Sequence, residues 1–294
     1  MAVIDVNGLS KHYGDTLAND ELSFDVRKGE IFGYLGPNGA GKTTTIRQLL
    51  GFIAPTAGTA TVLGADITDA EALCEARERI GYLPGELRFT ESVTGRSFLE
   101  FQARLKGDRR LEELTELFDP PLDRKIRTYS SGNRQMLGLI QTFMHDPDLV
   151  VMDEPTSGLD PLKQERLNRF LREERAAGTT VFFSSHVLGE VRRVCDRVGI
   201  IRAGELVALE DIDSLLRKGG KRVRLHTEDP LSASDLDLDG VVEFEQVGAV
   251  TRFTFTGDYN ELLATLSGYS LVDMEIEEPP LEEIFMHYYG EDDG

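Results

Sequence analysis

Eight consecutive residues, from Gly36 to Thr43, have the types and spacing of a loop that binds a phosphate chain. Its glycines let backbone N–H groups turn inward around an anion, and the helix that follows points its positive N-terminus at the same charge. Lys42 supplies a cation for the outer phosphates, and the hydroxyl of Thr43 is a suitable ligand for Mg²⁺. The alternative is a glycine-rich turn without a ligand. The residues that we predict to surround the phosphates are Gly36, Pro37, Asn38, Gly39, Ala40, Gly41, Lys42, Thr43 and Thr44.

Two adjacent carboxylates, Asp153 and Glu154, follow the apolar run Leu149–Met152. An aspartate at the tip of a buried strand can hold Mg²⁺ beside a phosphate loop, which predicts a metal-binding role for Asp153. The next carboxylate can orient or deprotonate an attacking water, which predicts that Glu154 is the catalytic base. The alternative is that both residues only cap the strand before a loop.

These residues need a sheet to bring them together, and the sequence alternates strand and helix patterns in the way that builds one. The strand before the phosphate loop and the strand before Asp153 are short apolar runs typical of a parallel sheet buried on both faces. Helical spacing extends from about Ser97 to Phe118 and again over Lys163–Ala177. The pattern predicts an α/β domain with a mostly parallel sheet flanked by helices. Further strands are predicted at Val3–Val6, Leu22–Val26, Thr59–Leu63 and Thr179–His186.

The composition changes toward the C-terminal end, because beyond Arg224 the only lysine or arginine is Arg252. Three alternating runs there, followed by a helix, a strand and a last helix at about Leu281–Tyr289, predict a small α+β domain. We therefore predict an N-terminal domain over residues 1–216, with a helical subdomain at about 88–145. The small acidic domain is predicted over residues 223–294.

Taken together, these motifs make the sequence resemble the ATP-binding subunit of an ABC transporter, a P-loop NTPase with an ABC-type nucleotide-binding domain. The resemblance covers roughly residues 3–210 and implies that ATP is bound with Mg²⁺ and hydrolysed to ADP and phosphate. Besides the phosphate loop, it rests on an aromatic residue, a helix-opening signature, the strand before the carboxylates, a D-loop and a switch histidine. In this sequence these are Tyr13, Tyr129–Asn133, Leu149–Pro155, Ser157–Asp160 and His186.

The resemblance assigns roles to these residues. It implies that Tyr13 stacks on adenine and that His186 contacts the γ-phosphate, with Lys42 and Glu154 completing the catalytic group. It also implies that Asp160 and the signature residues Ser130 and Gly132 contact nucleotide, the last two from a second copy of the chain. Simpler interpretations remain for three of these positions. An exposed or core aromatic at 13, a buried structural histidine at 186, and a helix cap and turn at 130–132 would fit the same residue types.

The sequence departs from the family pattern in two places. The signature has Ser131 where the family usually has glycine and Asn133 where it usually has glutamine. Gly85 stands where the family commonly has a glutamine that contacts Mg²⁺ and the attacking water, and Glu86 comes next. Either Glu86 reaches the metal or this contact is missing.

The resemblance also implies partners. These are a second copy of the chain in a homodimer and a separately encoded polytopic membrane permease, which places the protein at the cytoplasmic face of the cell membrane. The final segment, EEPPLEEIFMHYYG, resembles that of the drug-export, or ABC-2, group, which implies export of drugs, lipids or other hydrophobic compounds. The resemblance places permease contacts within Arg88–Gln102. The alternative is a soluble regulatory or translation-associated ATPase without a permease.

Composition excludes several other classes. The net charge of −20 opposes binding to nucleic acid, for which clustered lysine and arginine are needed. Two distant cysteines, Cys74 and Cys195, exclude a disulfide framework or a multi-cysteine zinc module. The apolar runs are far shorter than the roughly 18 residues of a membrane-spanning helix, and the first residues lack the pattern of a signal peptide. An acidic, lysine-poor composition is typical of salt-loving organisms, although an ordinary acidic protein is the alternative.

Overall fold

The computed structural model describes residues 2–214, 220–228, 231–236 and 238–277. The chain divides into two compact units, Met1–Leu209 and Glu210–Gly294. The helix predicted at Leu281–Tyr289 lies outside the described residues. Within the part of the chain that is described, every helix is too short or too polar to span a bilayer.

The strands and helices alternate along most of the first unit. The strands are β1 (Ala2–Tyr13), β2 (Thr16–Arg27), β3 (Ile31–Leu35), β4 (Ala57–Val62), β5 (Ala65–Asp66), β6 (Ile80–Leu83), β7 (Leu149–Asp153), β8 (Thr180–Ser185), β9 (Arg197–Arg202) and β10 (Glu205–Asp211). The helices are α1 (Lys42–Leu49), α2 (Ala70–Glu78), α3 (Gly95–Lys106), α4 (Leu111–Phe118), α5 (Ser131–Phe143), α6 (Pro161–Ala177) and α7 (Leu188–Val194).

A six-stranded sheet in the order β10-β9-β3-β8-β7-β6 positions the site. From β9 to β6 its neighbouring strands pair in parallel, which confirms the predicted α/β architecture. Strands β3, β7 and β8 are buried along their whole length, as expected when helices cover both faces of a parallel sheet. Leu35 pairs with Ser185, and Asp153 pairs with Ser184. The carboxyl ends of three neighbouring strands therefore meet at one edge, where α/β sheets bind ligands.

A second sheet, β2-β1-β4-β5, is antiparallel and packs on the first through aromatic side chains. Phe24 of this sheet stacks on Phe32 and Phe182 of the six-stranded sheet, with ring centroids 5.7 Å and 6.2 Å away. All three rings are buried in one apolar core that also holds Ile46 and Leu49 of α1. This packing fixes α1, and with it the phosphate loop, against the sheet.

The helical spacing predicted from about Ser97 to Phe118 corresponds to two helices of the helical subdomain, α3 and α4, which are separated at Gly107. Gly107 has a φ of 104°, a left-handed value that ends the helix and that other residues rarely adopt. The guanidinium of Arg110, just before α4, forms an ion pair of 2.7 Å with the buried Glu174 of α6. The helix therefore ends at Gly107, and after the turn Arg110 binds α6.

In the described residues of the second unit, a helix accompanies a four-stranded antiparallel sheet in the order β12-β13-β11-β14. Its elements are β11 (Lys221–Thr227), β12 (Val241–Val247), β13 (Val250–Phe255), α8 (Tyr259–Leu266) and β14 (Leu271–Glu277). Leu262 and Leu266 of α8 pack on Val223 and Phe255 of the sheet in a separate apolar core. These elements match the strands and the first helix predicted for the acidic region.

Candidate nucleotide-binding site

A cleft of about 830 Å³ opens where β3, β7 and β8 end. Most of the residues predicted to contact the phosphates, the metal or the attacking water line it, whereas Gly36 and Ala40 are buried. The predicted residues in its lining are Pro37, Asn38, Gly39, Gly41, Lys42, Thr43, Thr44, Glu86, Asp153, Glu154 and His186.

The loop between β3 and α1 is held too closely for side chains at two of its glycines. A Cβ atom at Gly36 would lie 2.3 Å from a carbonyl oxygen of β9, and one at Gly41 would lie 2.4 Å from a carbonyl oxygen of β2. Gly41 also has a φ of 108°. The buried Asn19 amide donates to the carbonyl of Gly41 at 3.3 Å and to the hydroxyl of Thr45 at 3.0 Å. The result is a rigid cradle at the N-terminus of α1, which fits a phosphate group.

Lys42 is the cation of this cradle. Its side chain is 6 % exposed, and its ammonium donates to the carbonyl oxygens of Gly36 at 2.6 Å and Pro37 at 3.2 Å. The same nitrogen lies 3.3 Å from Oε1 of Glu154. A buried, positioned positive charge beside a cleft stabilises an anion more strongly than a solvated one does.

Oxygen atoms suited to Mg²⁺ converge beside the loop. The hydroxyl of Thr43 donates to Oδ2 of Asp153 at 2.8 Å, and Asp153 is 4 % exposed. Hard oxygen ligands of this kind, one hydroxyl and one carboxylate, are what Mg²⁺ uses when substrate phosphates and water complete its shell. The donor set therefore fits the predicted metal.

The carboxylate of Glu154 lies between two charged or titratable groups. Its Oε2 is 2.8 Å from Nδ1 of His186, while Oε1 faces Lys42. The backbone of Glu154 has a φ of 52°, a left-handed value that is strained for a residue with a Cβ and is often found at functional sites. His186 is half exposed and lines the cleft.

Ser184 is a further residue of the candidate site, one that we did not predict from the sequence. Its hydroxyl donates to Oδ1 of Asp153 at 2.5 Å, and its carbonyl accepts the backbone N–H of Glu154 at 3.1 Å. Ser184 therefore orients Asp153, which is a predicted metal ligand, and anchors the strained backbone of Glu154. The available signal was a polar residue inside the apolar strand VFFSS, where a buried hydroxyl needs a partner.

Of the two places where the sequence departs from the family pattern, Gly85 and Glu86 line the cleft, whereas Ser131 and Asn133 do not. A Cβ at Gly85 would be 3.3 Å from Oδ2 of Asp153, so glycine lets this backbone approach the predicted metal ligand closely. Glu86 lines the cleft but is largely exposed, and its carboxylate pairs with Arg88 at 2.8 Å. The hydrogen bond from Arg88 lowers the pKa of Glu86, which keeps this carboxylate ionised. Its contact with a metal stays a prediction.

The signature residues Ser130 and Gly132 and the D-loop residue Asp160 lie outside the cleft lining, on what we call the signature surface, whereas Ser157 of the D-loop lines the cleft. Ser130 caps α5 by accepting the N–H of Asn133 at 3.3 Å, and Asp160 caps α6 by accepting the N–H of Lys163 at 3.0 Å. The helix-cap interpretation of Ser130 is thus present in the structure. Capping uses the N–H of Asn133 but not those of Ser131 and Gly132 in the same turn, so it is compatible with phosphate binding.

Tyr13, which was expected to stack on adenine, also lies outside the cleft lining. It ends β1, its side chain is 48 % exposed, and the ammonium of Lys11 stands 5.1 Å from its ring centroid. The nearest lining residues in sequence are Thr16, Leu17 and Ala18. The exposed ring is available to stack on a flat ligand, and that role stays a prediction.

Comparison with known proteins gives consistent matches. The profile of the ABC transporter family matches residues 19–157. A bacitracin transport ATP-binding protein of Bacillus licheniformis is 32 % identical over 98 % of this chain and 97 % of its own length. A Nod factor export ATP-binding protein of Burkholderia lata is 32 % identical over 99 % and 98 %. A linearmycin resistance ATP-binding protein of Bacillus subtilis is 30 % identical over 98 % of each chain.

Solved structures show the same fold. The ATP-binding subunit of an ABC transporter superposes with a TM-score of 0.67 at 29 % identity, covering 74 % of this chain and 92 % of that one. An ATP-binding cassette solved as a dimer with ADP and phosphate superposes with a TM-score of 0.66. That cassette is 20 % identical over 71 % of this chain and 98 % of its own, so the likeness supports the fold alone.

Proposed function

Because the chain belongs to the ABC transporter family as an ATP-binding subunit, we propose that it hydrolyses Mg²⁺-bound ATP in the cleft to power a separately encoded membrane permease. One observation carries this proposal. The carboxylate of Glu154 is held between Lys42 and His186, beside the metal-type oxygens of Asp153. This arrangement supports the assignment of a base, a cation and a metal site to one phosphate cradle.

Each residue then has a defined task. The loop N–H groups and Lys42 bind the phosphates, and Thr43 and Asp153 would hold the metal. When bound, Mg²⁺ would supply positive charge beside the phosphate oxygens. Glu154 orients the attacking water and accepts its proton, while His186 fixes the direction of that carboxylate and can contact the γ-phosphate.

The position of the signature surface supports a homodimer. Ser130, Gly132 and Asp160 lie outside the cleft lining of their own chain, and the N-terminus of α5 provides free backbone donors. In a head-to-tail dimer, these donors would meet the γ-phosphate held by the second copy, and Tyr13 would cover the adenine. ATP would then close an interface that opens after hydrolysis, because the γ-phosphate contacts are lost.

A groove of about 990 Å³ in the same unit is our candidate for the permease contact. Phe52 and Leu105 project into it and are 54 % and 66 % exposed, which is unusual for large apolar side chains. Tyr82 of β6 lines both this groove and the cleft, so one short strand connects docking to nucleotide binding. The groove is lined by Leu50, Phe52, Cys74, Arg77, Glu78, Arg79, Ile80, Tyr82, Leu105, Lys106, Arg109, Gln141, His145, Asp146 and Asp148.

The groove lining carries four cationic residues and three carboxylates, and this small excess of positive charge favours an acidic, apolar helix as its occupant. Arg79 and Arg109 pair with Asp148 and Asp146 of the lining. Arg77 and Lys106 donate to backbone carbonyl oxygens rather than to carboxylates. Burial lowers the pKa of His145 to about 4, so this imidazole is neutral near pH 7 and adds no charge. A short cytoplasmic helix with one or two acidic residues among apolar ones would complement this lining. The segment Arg88–Gln102, where family resemblance placed the contact, does not contribute to the groove lining.

Co-purification tests the proposal. A tagged chain extracted from detergent-solubilised membranes should retain a polytopic membrane protein, and Leu105→Glu should reduce its recovery about 10-fold or more, because a charge is placed in an apolar contact. The matched control is Leu263→Glu on α8, which is also an exposed leucine. Equal recovery with Leu105→Glu and wild type would reject the groove as the docking site, and recovery of no membrane protein with wild type would reject the transport function.

The proposal extends to the transported substrate and to the cellular location of the protein. Relatives named for bacitracin transport, Nod factor export and linearmycin resistance support an ABC-2-type exporter of drugs, lipids or other hydrophobic compounds at the cytoplasmic face of the membrane. The net charge of −20 supports a salt-rich cytoplasm, because concentrated salt screens the self-repulsion of an acidic chain.

A further inference from the structure

Side chains of α5 are bonded to the loop that follows Glu154. The amide of Gln135, which is 6 % exposed, donates to the carbonyl oxygen of Pro155 at 2.7 Å. One turn earlier, the hydroxyl of Ser131 donates to the carbonyl oxygen of Gly158 at 3.3 Å. A Cβ at Gly158 would lie 3.0 Å from that of Ser131, so the two backbones are close. The helix and the loop are thus in direct contact along the loop's length.

Lys163, in the first turn of α6, also contacts the N-terminal turn of α5. Its ammonium donates to Oδ1 of Asn133 at 3.4 Å and lies 3.6 Å from Oδ2 of Asp160. The same ammonium would be 3.0 Å from a Cβ at Gly132, so it packs directly on the signature backbone. One lysine therefore bridges the N-termini of α5 and α6.

We propose that Ser131, Asn133, Gln135 and Lys163 form a latch that positions Glu154 for hydrolysis. The latch fixes the loop 155–160, which is the covalent continuation of the base. It rests on the proposed function, in which Glu154 is that base. None of the four residues lines the cleft, so each is a positioning residue rather than a catalytic one.

Backbone geometry explains why the base needs such support. Glu154 has a φ of 52°, and a strained conformation of this kind persists only where the surrounding structure holds it. On one side it is anchored by Ser184, and on the other Pro155 is held by Gln135. Ser157 donates its N–H to the carbonyl oxygen of Glu154 at 3.1 Å, so a shift of the loop is transmitted to the base.

The α5 end of the latch adjoins Ser130 and Gly132, which in the proposed dimer contact ATP bound by the second copy. The two latch residues Ser131 and Asn133 are the positions at which this signature differs from the usual family residues.

Steady-state ATP hydrolysis by the whole chain tests the latch. We expect Lys163→Met and Asn133→Ala each to reduce kcat about 10-fold, because a misplaced base loses reactivity, while KM stays within about twofold. The double variant should be no slower than the slower single variant, since both changes break one bridge. Lys163→Arg keeps a cationic donor and should recover most of the activity. Glu165→Met, an exposed neighbour on α6, is the control and should hydrolyse ATP at the wild-type rate.

The outcomes separate the latch from the proposed function. Unchanged kcat in Lys163→Met and Asn133→Ala would overturn the latch if wild type hydrolyses ATP. Multiplicative losses in the double variant would overturn it too, because the two side chains would then act independently. A rise in KM at unchanged kcat would show direct contact with nucleotide instead of positioning. Absence of hydrolysis by wild type would instead reject the proposed function, and the latch with it.

Discussion

Glu154→Gln is expected to lower the rate of ATP hydrolysis by about 10² to 10⁴-fold, the usual contribution of a general base. Glutamine has the size of glutamate and still offers an oxygen or nitrogen to His186, but it cannot accept a proton from water. The phosphate cradle is untouched by the change, so ATP binding should remain. We expect an ATP-bound dimer that forms and does not reopen, which size-exclusion chromatography and measurement of retained ATP would detect.

The control for this variant is Glu173→Gln, which makes the same chemical change at an exposed position of α6. It should hydrolyse ATP as wild type does. If Glu154→Gln turns over ATP at the wild-type rate, Glu154 is not the base, and the strained backbone at this position has another cause.

Lys42→Ala should be the other severe change, with hydrolysis reduced about 10² to 10³-fold and ATP affinity lowered. Lys42 is buried and provides the positive charge at the phosphate loop. Its removal also leaves Oε1 of Glu154 without its cationic neighbour at 3.3 Å. The negative carboxylate would then repel the bound phosphate, because no positive charge lies between them. Calorimetric titration with ATP and a phosphate-release assay would measure the two effects separately.

Lys28→Ala is the matched control, because Lys28 is exposed and lies outside the cleft lining. Lys28→Ala should bind ATP with wild-type affinity and hydrolyse it at the wild-type rate. Retention of wild-type affinity and rate by Lys42→Ala would contradict the assignment of this cleft as the ATP site.

The sequence predicted the fold and the cleft well where the signal was local. The phosphate loop needs glycines at fixed positions, and β3, β7 and β8 are apolar runs, so their carboxyl ends could be placed at one edge of a parallel sheet. The positions of Asp153 and His186 could be predicted from that placement, because Asp153 ends β7 and His186 comes directly after β8.

Features that depend on contacts between distant segments could not be predicted. The helical spacing continues past Gly107, and the ion pair between Arg110 and Glu174 of α6, which accompanies the turn, joins residues 64 positions apart. The bridge from Lys163 to Asn133 joins residues 30 positions apart through loop geometry that no periodicity encodes. For Glu86, the competing partner Arg88 became visible only in three dimensions.

The central claim is that this cleft hydrolyses ATP with Mg²⁺, and phosphate release by the purified chain tests it most directly. The assay would be run in dilute and in concentrated KCl, because the net charge of −20 favours folding in salt. We predict hydrolysis that stops when EDTA removes Mg²⁺ and returns when Mg²⁺ is restored, since Thr43 and Asp153 would again hold the metal. Hydrolysis that persists in EDTA, or no phosphate release with Mg²⁺ at either salt concentration, would contradict the account.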